Sequence, residues 1–136
     1  MNSALVYGTI TMLAWGVWIV LGDAASDSIA PEMAAFVTYF VATILVGVYV
    51  LVTDVSVAVT GRGLALSALA GVGAVTGVVA TYIGVSIGST ALVSTLGGMY
   101  FVITAIISVL ALGEPLSANK VVGIGLALAA IVVINQ

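Results

Sequence analysis

The chain has 136 residues, 63% of them hydrophobic and 5% charged, with a formal net charge of −3. A soluble globular domain averages about 25% charged residues, and a short chain with so little polar sequence cannot cover its apolar surface in water, so lipid is the solvent for most of this molecule. The absence of cysteine and histidine excludes disulfides, thiolate chemistry and the commonest transition-metal ligands. Two basic residues and no basic cluster exclude nucleic acid as a partner, because phosphate binding needs several Lys or Arg on one face.

Polar punctuation divides the chain into five apolar runs, and a spanning helix needs roughly 17–25 mostly apolar residues. The first run, Ala4 to Leu21, has no basic stretch before it and ends in acidic residues, so it reads as a membrane span and not as a cleaved signal. Gly22-Asp23 is expected to end it. The connection "DAASDSIAPE" follows, and Ser28, Pro31 and Glu32 are helix-start residues. The second run covers Met33 to Val52, "TDVSVAVTGRG" connects it to a third from Leu64 to about Ile87, and "GST" turns the chain into a fourth from Ala91 to Leu112. After "GEPLSANK" the last run ends at Ile134; it is long enough to cross if Ala118 and Asn119 join it and Lys120 snorkels to the interface. The runs are continuously apolar and lack the ten-residue alternation of a barrel. The expected fold is therefore an all-α integral membrane protein: one domain over 1–136 with five transmembrane helices, at about 4–21, 33–52, 64–87, 91–112 and 118–134.

Orientation follows from Lys and Arg in short loops. Five spans put the N-terminus, the second connection and the last connection on one side, where both Arg62 and Lys120 lie; Asp23, Asp27 and Glu32 lie on the other. The expectation is a multi-pass protein of the cell membrane with a cytoplasmic N-terminus and an outer C-terminus.

Small residues mark where helices approach closely in lipid. Gly73 and Gly77, then Gly84 and Gly88, stand four apart on the third run, and Gly123, Gly125, Ala127, Ala129 and Ala130 lie on the fifth. Uncharged polar residues form two stripes at helical spacing. Tyr7, Thr11, Trp15 and Trp18 share one face of the first run, and Thr90, Ser94, Gly97, Phe101, Thr104 and Ser108 share one face of the fourth, with Tyr100 beside it and Tyr82 on the third. Rings at span ends serve as interfacial anchors, and Ser and Thr hydroxyls bond back to the preceding turn. The alternative is a cavity of rings and hydroxyls for a small apolar or amphipathic solute, with Tyr7, Thr11, Trp15, Trp18, Tyr82, Ser94, Tyr100 and Thr104 as its candidate substrate-binding residues.

No Asp, Glu, Lys, Arg or His lies in the middle of any run, whereas proton relays and ion-coupled sites place an ionisable residue at membrane depth. The absence of a carboxylate from the first run argues against a small multidrug-resistance antiporter. No nucleophile–base pair is available, so no catalytic residue, metal site or cofactor is expected, and the chain reads as no enzyme.

The order "LAWGVWIV", "IAPEMAAFVTYFVATIL" and "IGSTALVSTLGGMYFVITAIISVLALGEPLSANKVVGIGLALAAIVVI" resembles one EamA domain of the drug/metabolite transporter superfamily. The closest correspondence is the family's pattern before its last helix, at Leu112-Gly113-Glu114, Leu116-Ser117 and Gly123, with Pro115 between. Gly113, Glu114, Pro115 and Ser117 are read as a structural motif: a helix end, a stop, a cap and, in Glu114, a partner for backbone donors at the start of the last helix. The sequence departs from the family where members often carry Pro in the fourth helix, near Phe101, and a basic residue early in the second, near Thr38.

The resemblance implies one half of an inverted-repeat transporter fold. Two such units run in opposite directions through the bilayer and build a site at the midplane. It further implies a small-molecule substrate, alternating access, and assembly as a homodimer (parallel or inverted) or as a hetero-oligomer with a similar chain. The alternative is a non-transporting membrane subunit that stabilises or regulates a larger membrane partner.

Overall fold

The computed structural model describes residues 3–56, 58–113, 115 and 117–134. Among them every regular element is a helix: α1 Ser3–Ser26, α2 Pro31–Val52, α3 Gly61–Ile87, α4 Thr90–Gly98, α5 Tyr100–Leu112 and α6 Ala118–Ile134. Helices are the expected outcome where no water is present to satisfy backbone N–H and C=O groups. The first three are long and apolar enough to cross a bilayer, as is Thr90–Ala111, which runs through α4 and α5. The 17 residues of α6 reach about 25 Å at 1.5 Å each. That is close to a bilayer core of about 30 Å, and thinning or snorkelling accommodates the difference. The protein is thus an all-α membrane protein of five spans.

Three boundaries differ from those read in the sequence. First, α1 does not stop at Leu21 but continues through Gly22 and Asp23 to Ser26. Gly22 is buried there against a neighbouring helix, and Ser26 Oγ donates to the Gly22 carbonyl at 2.8 Å, so packing keeps this turn helical. Second, α3 begins at Gly61, where the Gly63 N–H donates to Thr60 Oγ1 at 3.1 Å, a side-chain cap on an otherwise orphaned donor. Third, the fourth span is two helices. Met99 interrupts it with φ −76° and ψ 3°, and two three-residue turns flank it, Met99 N–H to the Leu96 carbonyl and Val102 N–H to the Met99 carbonyl. Two consecutive glycines, Gly97 and Gly98, precede the interruption, and each costs a helix interior about 1 kcal/mol relative to alanine.

Other ends follow sequence rules. Pro31 and Glu32 open α2, placing a residue without N–H and then an acid at the positive end of the helix dipole. Ser89 caps α4 by accepting from Leu92 N–H. Gly113 closes α5 in the left-handed region, φ 67°, with its N–H directed to the Ser108 carbonyl. Glu114 and Leu116 of the motif lie outside the described residues.

The chain forms two compact units, residues 1–87 and 88–136. In the first, α1, α2 and α3 all pack on one another. Its buried residues are Gly22, Ala34, Ala35, Val78, Tyr82 and Val85, with Trp18, Ala25, Tyr39 and Val79 packed around them. All lie in the second half of α1, the first half of α2 and the second half of α3, toward one end of the three-helix unit, beside the connection that carries Asp27. At the other end, residues 40–52 of α2 and 61–77 of α3 are exposed throughout. In the second unit, α4 packs against α6.

Candidate functional site

The packed end of the first unit is built around Tyr82, whose side chain is 3% exposed. Its ring lies against α1. The centroid is 5.7 Å from that of Trp18 at a tilt of 57°, and Trp18 in turn meets Trp15 edge-on at 5.5 Å and 70°. These are favourable aromatic arrangements, in which a ring edge meets a ring face. The Tyr82 hydroxyl reaches α2, where it shares a 2.6 Å hydrogen bond with the Thr38 hydroxyl. One turn further along α1 the ring also seats over Gly22: a Cβ at that position would stand 2.8 Å from Tyr82 Cζ and 3.1 Å from its hydroxyl oxygen. Only a residue without a side chain lets helix and ring approach so closely. Ala34 and Ala35 complete the packing from α2, and Val78 from the preceding turn of α3.

Thr38 differs from most hydroxyls of this unit, which bond back to their own helix. Thr9 donates to the Leu5 carbonyl, Thr11 to Tyr7, Thr43 to Tyr39, Thr76 to Val72 and Thr81 to Gly77, all at 2.8 or 2.9 Å. Such bonds satisfy the hydroxyl locally and carry no tertiary information.

Of the four residues on the α1 stripe, Trp15 and Trp18 join Tyr82 in this aromatic run, with Trp15 about half exposed and Trp18 half-buried. Tyr7 is 71% exposed and Thr11 is exposed with its hydroxyl turned back; both stand outside the packed end. Two partners of the cluster were not foreseen in the sequence. Gly22 reads as a helix terminator beside Asp23, and Thr38 is one threonine among many.

Against residues 2–136, the sequence pattern of the EamA-like transporter family matches. The chain belongs to that family. No curated protein and no solved structure gives a match. With this membership and its apolar helices, the protein is a multi-pass membrane protein and a domain of the drug/metabolite transporter superfamily, a family of transporters and not of enzymes. In this EamA-like chain Thr38, early in the second helix, presents a neutral hydroxyl that is bonded to Tyr82.

The remaining predicted residues lie in the second unit. Ser94 is half-buried on α4 with its hydroxyl donated to the Ala91 carbonyl at 3.0 Å. Tyr100 and Thr104 are exposed on successive turns of α5. Tyr100, 59% exposed, lines an open groove of about 400 Å³ with Leu96, Gly97, Met99, Val102, Ile103 and Leu128. This groove sits where the fourth span is interrupted, and its wall is mostly apolar. Among the described residues no group of Asp or Glu is arranged to hold a metal ion.

Proposed function

We propose that this EamA-like protein carries a small neutral or weakly polar solute across the cell membrane by alternating access, as one half of a two-half assembly. The observation that carries the reading is the family match over residues 2–136 on a chain with five spans. An odd number of spans places the two ends on opposite sides of the bilayer. A second copy inserted in the reverse sense, or a similar chain so inserted, then builds the two-fold arrangement of inverted-repeat transporters. The rings of Trp15 and Trp18 in the first unit and, separately, Tyr100 beside the apolar groove of the second suit a solute with an apolar body and few polar groups. Arg62 and Lys120, falling on the side of the N-terminus when five spans are counted, favour a cytoplasmic N-terminus and an outer connection at Asp27.

Reporter fusions to both termini, combined with reconstitution of the purified chain into vesicles, test this. A split orientation together with a dimer in lipid supports the inverted homodimer. A fixed orientation with a second, similar chain co-purifying supports the heteromer. A monomer that moves no solute when reconstituted alone sinks the homodimer. If a larger membrane protein co-purifies stoichiometrically while Trp15→Ala and Tyr100→Ala leave solute binding unchanged, the non-transporting subunit is the correct reading.

A further inference from the structure

We infer that the Trp18–Gly22–Thr38–Tyr82 cluster is a reversible latch that holds one end of the α1–α3 unit closed; the inference rests on the transporter reading. Three observations lead to it. Burial is confined to that end. Past it, residues 40–52 of α2 and 61–77 of α3 are exposed, and Gly8, Gly16, Gly47, Gly71, Gly73 and Gly77 have open space where a Cβ would stand. Parting the three helices at the packed end therefore breaks few contacts elsewhere in the unit.

The contacts that do break are of a kind that re-forms. Tyr82 seats on Gly22 through the hydroxyl end of its ring, Cζ, Cε1 and the oxygen, and on Trp18 through a tilted ring contact, so a small slide of α1 past α3 parts surfaces that meet face to face. The polar contact also has a substitute. Thr9, Thr11, Thr43, Thr76 and Thr81 each satisfy their hydroxyl on the carbonyl four residues earlier. Thr38, on the same kind of helix, has the Ala34 carbonyl available in that position once Tyr82 leaves. One threonine hydroxyl thus has two satisfied states, across the helices when closed and along its own helix when open. Two discrete arrangements of similar energy are what a gate requires.

The chain has no native cysteine, so paired spin labels can be placed at will. One pair, at Ala24 and Ile87, reports the latched end; a second, at Tyr7 and Ala65, reports the opposite end. Pulsed dipolar distances are measured in lipid for the wild-type background, for Tyr82→Phe, which removes one hydroxyl and keeps the ring, and for Gly22→Ala, which pushes the ring off its seat. The expected result is two distances at the Ala24/Ile87 pair. The longer one gains about threefold in population relative to the shorter in Tyr82→Phe, the change that follows from loss of one average hydrogen bond within a membrane, and gains more in Gly22→Ala. The Tyr7/Ala65 distance shifts in the opposite sense in the same variants. A single Ala24/Ile87 distance, unchanged in Tyr82→Phe, overturns the latch and leaves the cluster a static core; Tyr82→Phe keeps this decisive even if Gly22→Ala does not fold. Two distances without any solute movement would retain the latch and count against transport, whereas transport with a single distance would do the reverse.

Discussion

The hydroxyls of Thr38 and Tyr82 meet at 2.6 Å across 44 residues of sequence, joining α2 to α3 at the packed end of the first unit. The ring that carries one of them is 3% exposed and packs against α1 at Trp18 and, one turn on, at Gly22. This places a polar tertiary contact inside an apolar packing site, where each hydroxyl is the other's partner.

A double-mutant cycle measures that contact. Thr38→Val and Tyr82→Phe each remove a hydroxyl and preserve shape. The expected coupling between them is about 0.6–1.5 kcal/mol, the range for interhelical bonds in membranes and for buried bonds generally. It is read from denaturant titration in mixed micelles. Strictly additive losses would mean that the pair contributes nothing as a pair.

The approach of α1 to Tyr82 predicts opposite outcomes for two glycines on one helix. In Gly22→Ala the new methyl would stand 2.8 Å from Cζ of a ring also held by Trp18 and by the Thr38 hydroxyl, and overpacking of this kind costs about 1–3 kcal/mol. In Gly16→Ala nothing lies within 4 Å of the added carbon, so stability is unchanged or rises by the gain in helix propensity, up to about 1 kcal/mol. Thermal unfolding of the two variants side by side checks the contrast. Equal effects would show that the Gly22 contact is not maintained in the bilayer.

The fold class was legible because its signal is summed over whole segments. A run of about twenty mostly apolar residues has few physical solutions, and all the charged residues fall near the ends of the runs or between them. The candidate site was legible only in part, for a different reason. Helical spacing predicts which residues share a face, and Trp15 and Trp18 do meet, but spacing does not say how far along the helix a neighbour is met. Tyr7 and Thr11 lie on the same stripe and outside the packed end. Gly22 and Thr38 were missed because their roles are defined by a partner on another helix. A glycine before an acidic residue looks like a helix stop until Tyr82 is placed over it. The interruption at Met99 was hidden in the same way, since Gly97-Gly98 signals backbone freedom without saying whether the chain uses it.

Thr11 and Thr76 supply a control for the Thr38 experiment. Both hydroxyls are exposed and donate to the carbonyl four residues earlier. Replacing either with valine removes a local bond and no tertiary contact, so each change is expected to stay within about 0.5 kcal/mol. A loss at Thr11 comparable to that at Thr38 would reveal a partner for this face of α1 beyond the α1–α3 unit.

The fourth span carries the last prediction, because the same chemical change has opposite signs at its two irregular points. Gly97 and Gly98 sit just before Met99, where α4 gives way to α5, and nothing lies within 4 Å of a Cβ at either. Neither glycine has positive φ, so alanine fits both the space and the backbone. Gly97→Ala with Gly98→Ala removes two helix-weakening residues and is expected to raise stability by up to about 1 kcal/mol each. The replaced glycines lose backbone freedom, so amide exchange across residues 99–102 slows. Gly113 is the contrasting case. Its φ of 67° is a left-handed conformation that costs an alanine about 1–2 kcal/mol, even though the space around it is open. Gly113→Ala therefore destabilises the end of α5, while the glycine pair fifteen residues earlier tolerates alanine. Exchange kinetics and melting of the two variants decide the matter. Slower exchange at 99–102 in the double variant, accompanied by reduced solute movement in vesicles, would mean that the fourth span bends at Met99 during transport. Unaltered transport would mean that the interruption is a static feature of the helix.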